Sequence, residues 1–206
     1  MGETGAARQS HGYHHGDLKP VLIAAARRLV EADGHDRLSL REVARQAGVS
    51  AMAPYRHVEN REALLAELAA QGFRELGAAL KAAADQGVDP RSRSLAQAQA
   101  YVSFACANPG LFRLMVGPLD PAQKQLIAAD AEAAHAMGAT PDIDPDLARA
   151  RWALVHGLSM LIIDGRLAIA PGDTVPAIVA RTVAALWPEG GTGEGWVGQG
   201  GAGQSA

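Results

Sequence analysis

A glycine turn between two short apolar runs is the feature that most restricts how this chain can fold. Residues 39–58 read SLREVARQAGVSAMAPYRHV, and the turn falls at Gly48, where glycine tolerates the positive φ that ends a helix. Ser39 can cap the helix before the turn, and Glu42 completes the pattern of a capping box. The inner side of that helix is a two-turn apolar stripe formed by Leu40, Val43, Ala44 and Ala47. The pattern predicts two short helices that pack across a tight turn.

The second helix of this pair is predicted over Ala51 to Val58, with Ser50 placed to cap it. Ala44 is small enough to let the two helices cross at a steep angle. A pair of this kind is the helix-turn-helix unit, in which the second helix enters the DNA major groove. The alternative is an ordinary helical hairpin in a core, and the agreement of both caps, Ala44 and Gly48 favours the DNA-binding unit.

The string GVSAMAPYRHVENREALL resembles the recognition helix and the following helix of tetracycline-repressor (TetR/AcrR) regulators. Their pattern is a Gly-Val-Ser turn, then Tyr-x-His, an apolar residue and a basic residue that opens a long helix. Tyr55, His57, Val58 and Arg61 stand at those positions. The resemblance covers about residues 13 to 75. A later motif, Trp152-x-x-x-His156-Gly157, is similar to the signature of a subgroup with a TetR-like WHG C-terminal domain.

This resemblance implies a ligand-responsive transcriptional repressor that binds a near-palindromic operator as a homodimer, although activation is also possible. It implies that the last two helices, within about residues 145–187, form the interface with the second subunit. Apart from the resemblance, Trp152 and His156 would border a cavity for a small, largely apolar effector. By analogy with the family, the effector would tilt the long helix that begins near Arg61 and would move the recognition helices out of register on DNA.

The composition favours an all-α fold, because alanine is abundant and aromatic residues make up only 4% of the chain. We expect about nine helices, near residues 17–33, 39–47, 51–58, 61–84, 91–107, 111–116, 121–137, 145–168 and 173–187. The predicted domains are a flexible N-terminal arm (1–16), the helix-turn-helix domain (17–62), a helical ligand-binding and dimerisation domain (63–188) and a disordered glycine-rich tail (189–206).

Charge is distributed unevenly along the 206 residues, whose net charge is −3. Residues 1–61 hold nine Lys/Arg against seven Asp/Glu, whereas residues 62–206 hold ten Lys/Arg against fifteen Asp/Glu. The N-terminal part is therefore the one expected to bind DNA phosphates. Cys106 is the single cysteine, and no signal peptide or membrane-length apolar run is evident. We expect a cytoplasmic protein without a cofactor.

The predicted DNA contacts divide into phosphate anchors and base readers. By resemblance, Tyr55, His57 and Arg61 anchor phosphates, and Arg41 and Arg45 are further candidates for the backbone. Arg56 is the one long donor of the recognition helix and can make a bidentate contact with guanine. Pro54 stands where leucine is common and biases its predecessor away from helical angles. The full set is Ser39, Arg41, Arg45, Ser50, Ala51, Met52, Ala53, Tyr55, Arg56, His57 and Arg61.

A ligand pocket is predicted among the C-terminal helices. Trp152, His156 and Met160 recur every four residues and therefore share one helix face, although such residues can also be plain core. The candidate lining residues are Phe73, Tyr101, Phe104, Phe112, Met115, Trp152, His156 and Met160. No metal site is expected, because His11, His14 and His15 match no closed tetrahedral set.

Two other classes of protein remain open at this point. A helical adaptor that has lost DNA binding is compatible with the apolar residues 51–53, and it predicts salt-insensitive binding to a protein partner. An α-helical enzyme using His156 or Asp164 is also conceivable, but no nucleophile–base pair or phosphate-cradling glycine loop supports it.

Overall fold

The computed structural model describes residues 18–118, 124, 125, 127, 128, 130 and 144–186. Within these residues the ordered elements are α-helices and short 3₁₀ turns, which confirms the all-α prediction. Seven helices are present in this part of the chain: α1 (Leu18–Asp33), α2 (Leu40–Gln46), α3 (Arg61–Gln86), α4 (Pro90–Ala107), α5 (Pro109–Val116), α6 (Pro145–Ile163) and α7 (Val175–Leu186). None of the described helices is long and apolar enough to cross a membrane.

The N-terminal unit is built as its turn chemistry predicts. Ser39 Oγ accepts a hydrogen bond from the backbone N–H of Glu42 at 3.2 Å and caps α2. The other half of the capping box differs from the prediction, because the carboxylate of Glu42 accepts from Arg45 Nε at 2.9 Å. Gly48 has a φ of 71°, the left-handed conformation that the turn requires. The buried stripe of α2 then packs against α1 around Leu22 and Val30.

The recognition helix predicted over residues 51–58 is replaced by turns around a 3₁₀ segment, Pro54–Arg56. Proline lacks the N–H that would bond to the Ser50 carbonyl, and the bonds that form instead include Ala53 N to Ser50 O and His57 N to Pro54 O, both at 2.9 Å. Ser50, which was predicted to cap a helix through its side chain, contributes its backbone carbonyl to this turn. Ala53 keeps helical angles (φ −63°, ψ −41°), so the expected bias away from them is absent.

The described helices share one large core, which runs from α1 and α2 through α3, α4 and α5, and one smaller cluster. Helix α3 begins at Asn60, whose side chain caps it through Ala63 N at 2.7 Å, and it packs along α4 and α5. A second cluster of Val102, Leu158, Ile178 and Val179 joins α4, α6 and α7. Helix α6 ends at Ile163, short of the predicted residue 168, because Gly165 adopts a φ of 68°.

Several predictions concern residues outside the described part of the chain. These are the flexible arm (1–16), the glycine-rich tail (189–206) and most of the helix expected over residues 121–137. Five residues of that expected helix are described, and all five are helical: 124, 125, 127, 128 and 130. The histidines at 11, 14 and 15 also lie outside the described part of the chain. Among the described residues no group of three His, Cys, Asp or Glu side chains is arranged to hold a metal ion.

Candidate DNA-binding surface and ligand cavity

The segment after Gly48 is anchored from inside and presents polar side chains outside. Pro54 is fully buried and Val58 is nearly so, and these two side chains fix the segment against the N-terminal core. Between and beside them Tyr55, Arg56 and His57 are exposed, with Tyr55 51% accessible. Ser50, Ala51 and Met52 are also exposed, and Ala53 is half-buried. Proline therefore acts as the inner anchor of this surface.

The cations of this surface differ in how free they are. Arg41 on α2 and Arg56 are exposed, and neither has an ion-pair partner within the described residues. Arg45 is held by Glu42, and their hydrogen bond lowers the pKa of the glutamate and raises that of the arginine. A phosphate can be met by Arg41 and Arg56 without breaking an existing pair, whereas Arg45 would first have to leave Glu42.

Arg61 faces the protein. Its Nε donates to the Leu38 carbonyl at 2.8 Å, and one terminal nitrogen donates to the His35 carbonyl at 2.7 Å. The other terminal nitrogen lies 3.2 Å from Glu62 Oε1. The guanidinium thus ties the first turn of α3 to the 3₁₀ turn His35–Arg37 between α1 and α2. This arrangement favours a positioning role for Arg61 over direct phosphate binding.

A cavity of about 220 Å³ lies between α3, α4, α5 and α6. Its lining includes five of the predicted ligand residues together with Leu76 and Val116, which the sequence did not single out: Phe73, Leu76, Tyr101, Met115, Val116, Trp152 and His156. Three predicted residues lie outside this lining. Phe112 is fully buried in the core, where its ring stands 5.7 Å from that of Tyr101, and Phe104 and Met160 pack against the same core.

The polar atoms of the cavity wall form one short chain. The Trp152 indole is hydrogen-bonded to the Tyr101 hydroxyl, which lies 3.2 Å from His156 Nδ1. Burial raises the pKa of Tyr101 to about 12, with the Trp152 hydrogen bond opposing it, and burial lowers the pKa of His156. Both side chains are therefore neutral near pH 7. The rings of Trp152 and His156 are also packed closely, with 5.6 Å between their centroids.

Helix α5 is fastened to α1 at its first turn. The Glu31 carboxylate accepts from the N–H groups of Gly110 and Leu111 at 2.8 and 3.0 Å, and it caps the first turn of α5. Arg27 of the same helix donates to Asn108 Oδ1 at 2.8 Å. Gly110 allows this approach, because a Cβ there would stand 2.4 Å from the Val30 carbonyl oxygen. No feature of the sequence predicted this α1–α5 junction, formed by Arg27, Glu31, Asn108 and Gly110.

Two parts of the chain match family models. Residues 22–68 match the bacterial regulatory proteins of the tetR family, and residues 94–186 match the tetracyclin repressor-like C-terminal domain. The chain belongs to the TetR family of DNA-binding transcription regulators. This is a family of regulators and not of enzymes, which answers the enzyme alternative. The C-terminal match includes the Trp152-x-x-x-His156-Gly157 motif.

Solved structures and curated proteins agree with this assignment. A protein of unknown function from Rhodococcus sp. RHA1 is 36% identical, with a TM-score of 0.70 over 86% of this chain and 97% of its own. A tetR-family regulatory protein from Rhodococcus RHA1 is 24% identical and shares the fold, with a TM-score of 0.63 over 82% of this chain and 94% of its own. The nucleoid occlusion factor SlmA of Vibrio vulnificus is 32% identical over 97 residues, 47% of this chain and 50% of SlmA. The chain thus spans about half the length of the curated relatives it matches.

Proposed function

We propose that this protein is a homodimeric, ligand-responsive repressor that binds a near-palindromic operator. The observation that carries the proposal is the pair of links between the cavity and the DNA-binding unit. Helix α3 lines the cavity with Phe73 and Leu76, and its first residue, Arg61, holds the turn before α2. Helix α5 lines the same cavity with Met115, and its first turn is capped by Glu31 of α1.

These links supply a route by which a bound molecule can act on DNA binding. Met115 packs tightly on α3, because a Cβ at Gly72 would stand 2.6 Å from Met115 Sδ. A molecule that separates α3 from α5 therefore moves at least one of two helices that are bonded to the DNA-binding unit. A ligand that prefers the separated arrangement shifts the population toward it in proportion to its differential affinity.

In the proposed complex, Tyr55 and His57 anchor phosphates and Arg56 reads a base. Arg41 adds a phosphate contact, since its side chain is exposed and unpaired within the described residues. Two protomers related by a two-fold axis would place these surfaces one DNA turn apart, roughly 34–36 Å.

The proposed dimer interface lies on α6 and α7. One face of α6 carries Ala150, Ala153, Gly157 and Leu161 at helical spacing, and a Cβ added at Gly157 would meet nothing within 4 Å. Leu161 is 45% exposed, and Leu186 at the end of α7 is 57% exposed. A face of small residues beside exposed leucines is suited to close packing against the same face of a second copy.

DNA binding is tested by fluorescence anisotropy with the chain's own upstream DNA and a scrambled duplex over a salt series. We expect tighter binding to the native duplex at physiological salt, and affinity that falls steeply as salt rises. Salt-insensitive binding to a protein partner, with no preference for any duplex, would instead favour the adaptor.

The dimer is tested by sedimentation of Leu161→Arg beside Val88→Arg. Val88 is an exposed apolar residue, 89% accessible, at the α3–α4 turn and outside the two helices of the proposed interface. We expect Leu161→Arg to produce folded monomers with weakened operator binding and Val88→Arg to remain dimeric. Two dimeric variants would refute the α6 interface.

A further inference from the structure

We propose that the cavity binds a compact, uncharged, mostly apolar molecule with one hydrogen-bond acceptor, which is held by the Nε2–H of His156. The inference rests on the proposed function, since it takes the cavity to be the effector site. It follows from three properties of the wall: its lack of charge, the direction of its hydrogen bonds and its size.

Among the described residues, the wall contains no charged group that would neutralise an ionic ligand. The described lining residues are aromatic, aliphatic or thioether side chains apart from His156. Arginines on the surrounding helices are already engaged: Arg113 donates to Asp164 Oδ1 at 2.8 Å, Arg74 to Asp130 Oδ2 at 2.8 Å, and Arg151 to Ser94 Oγ at 3.3 Å. An ion entering the cavity would meet no opposite charge among the described lining residues, and an anion would gain only the single His156 hydrogen bond, which does not offset the hydration it loses.

The hydrogen bonds of the wall have a direction. An indole N–H can only donate, so Trp152 donates to the Tyr101 oxygen. We assign the Tyr101 hydroxyl as donor to His156 Nδ1, 3.2 Å away, because an Nδ1–H donating to Tyr101 would leave the proton of this buried hydroxyl unpaired. A neutral imidazole that accepts at Nδ1 carries its proton on Nε2. The ring therefore offers a donor to a bound molecule, and a carbonyl, ether or ester oxygen matches it.

The size of the cavity limits the molecule to about one ring with a short substituent. The volume is about 220 Å³. An apolar protein cavity of about 150 Å³ accepts benzene, whereas drug-sized ligands need roughly 300 Å³ or more. A single aromatic ring bearing a small carbonyl group fits between these limits.

Three probes of matched shape separate these properties: acetophenone, α-methylstyrene and benzoate. α-Methylstyrene replaces the carbonyl oxygen by a methylene group, and benzoate carries a negative charge. In calorimetric titrations of the full chain at neutral pH, we expect acetophenone to bind about two- to tenfold more tightly than α-methylstyrene, the gain from one net hydrogen bond. We expect benzoate to bind at least about tenfold more weakly than acetophenone, since its charge stays unpaired. Equal binding of the two neutral probes, tighter binding of benzoate, or no binding of any probe would overturn the proposal.

The His156→Phe variant assigns the donor. It keeps a ring in the wall but removes Nε2–H, so the preference for acetophenone over α-methylstyrene should fall to one or below, because the ketone oxygen is then buried without a partner. Retained binding of α-methylstyrene shows that the cavity is intact. If the variant keeps the preference, His156 is not the donor and the proposal is wrong.

A second readout separates this proposal from the proposed function. Each probe is added at saturation to the complex of the protein with its labelled upstream DNA, and release is followed by anisotropy. If acetophenone binds most tightly of the three probes and releases the DNA, both the ligand class and ligand-responsive repression are supported. The same order of binding without release supports the ligand class and contradicts ligand-responsive repression at this site. Release by benzoate alone contradicts the ligand class while it leaves ligand-responsive repression standing.

Discussion

Replacing Arg61 by alanine should loosen the DNA-binding unit from α3. The guanidinium makes bonds of 2.8 and 2.7 Å to the Leu38 and His35 carbonyls, and its side chain is 31% exposed. A hydrogen bond to a charged group contributes about 1.5–3 kcal/mol when buried, and water at this partly open site recovers some of that. We therefore expect a loss of about 2 kcal/mol in the free energy of unfolding, which lowers Tm by about 4–8 °C for a chain of this size.

Arg41→Ala is the matched control, because it removes the same charge from an exposed side chain with no partner within the described residues. Both variants are measured by thermal unfolding followed by circular dichroism and by the salt dependence of operator binding. Arg41→Ala should leave Tm unchanged and reduce the salt slope by about 0.9 per protomer, the signature of a lost phosphate contact. Arg61→Ala should lower Tm and leave the slope unchanged. An unchanged Tm with a reduced slope for Arg61→Ala would show that Arg61 binds phosphate and would refute the positioning role.

Three further predictions concern the α1–α5 junction, the cavity and base reading. Gly110→Ala should cost about 1–3 kcal/mol in urea unfolding, because the new Cβ meets backbone atoms of α1 that cannot move aside. The raised pKa of Tyr101, about 12, means that the folded state resists its ionisation, so stability should fall by about 2 kcal/mol as pH rises from about 10 to 12. Tyr101→Phe should lack that alkaline loss. Arg56→Ala should cost about 1–3 kcal/mol on the operator and relax preference at one base pair, and equal loss on random DNA would make it a phosphate contact.

The elements that sequence predicts best are those specified by adjacent residues. Ser39, Gly48 and Asn60 act at the caps and turns where their chemistry places them, since each partner lies within a few positions in the chain. The recognition helix is the element that was predicted wrongly, and its cause is also an adjacent residue. Pro54 removes the N–H that a regular recognition helix needs, and the segment forms a 3₁₀ turn whose buried proline anchors it.

Contacts between distant residues left no comparable signal in the sequence. Glu31 caps a helix by bonding Gly110, 79 positions later, and Arg61 bonds carbonyls that any residue type would provide. A charged residue at the start of a helix is equally compatible with a phosphate contact and with an internal bond. The cavity lining is equally hard to predict from sequence. Aliphatic residues such as Leu76 and Val116 have the same spacing along a helix whether they pack against another side chain or line a cavity.

The placement of these missed contacts bears on how the protein could respond to a ligand. The bonds of Glu31 and Arg61 join the DNA-binding unit to two different helices, α5 and α3, which also line the cavity. Because both helices are fastened to the same unit, a ligand cannot separate them without straining one set of bonds or moving α1 relative to the turn before α2. Such a displacement lies within the DNA-binding unit, which also presents Tyr55, Arg56 and His57. A small change in the spacing of α3 and α5 would therefore alter the orientation of the DNA-binding surface, which two symmetric protomers must match across one turn of the duplex.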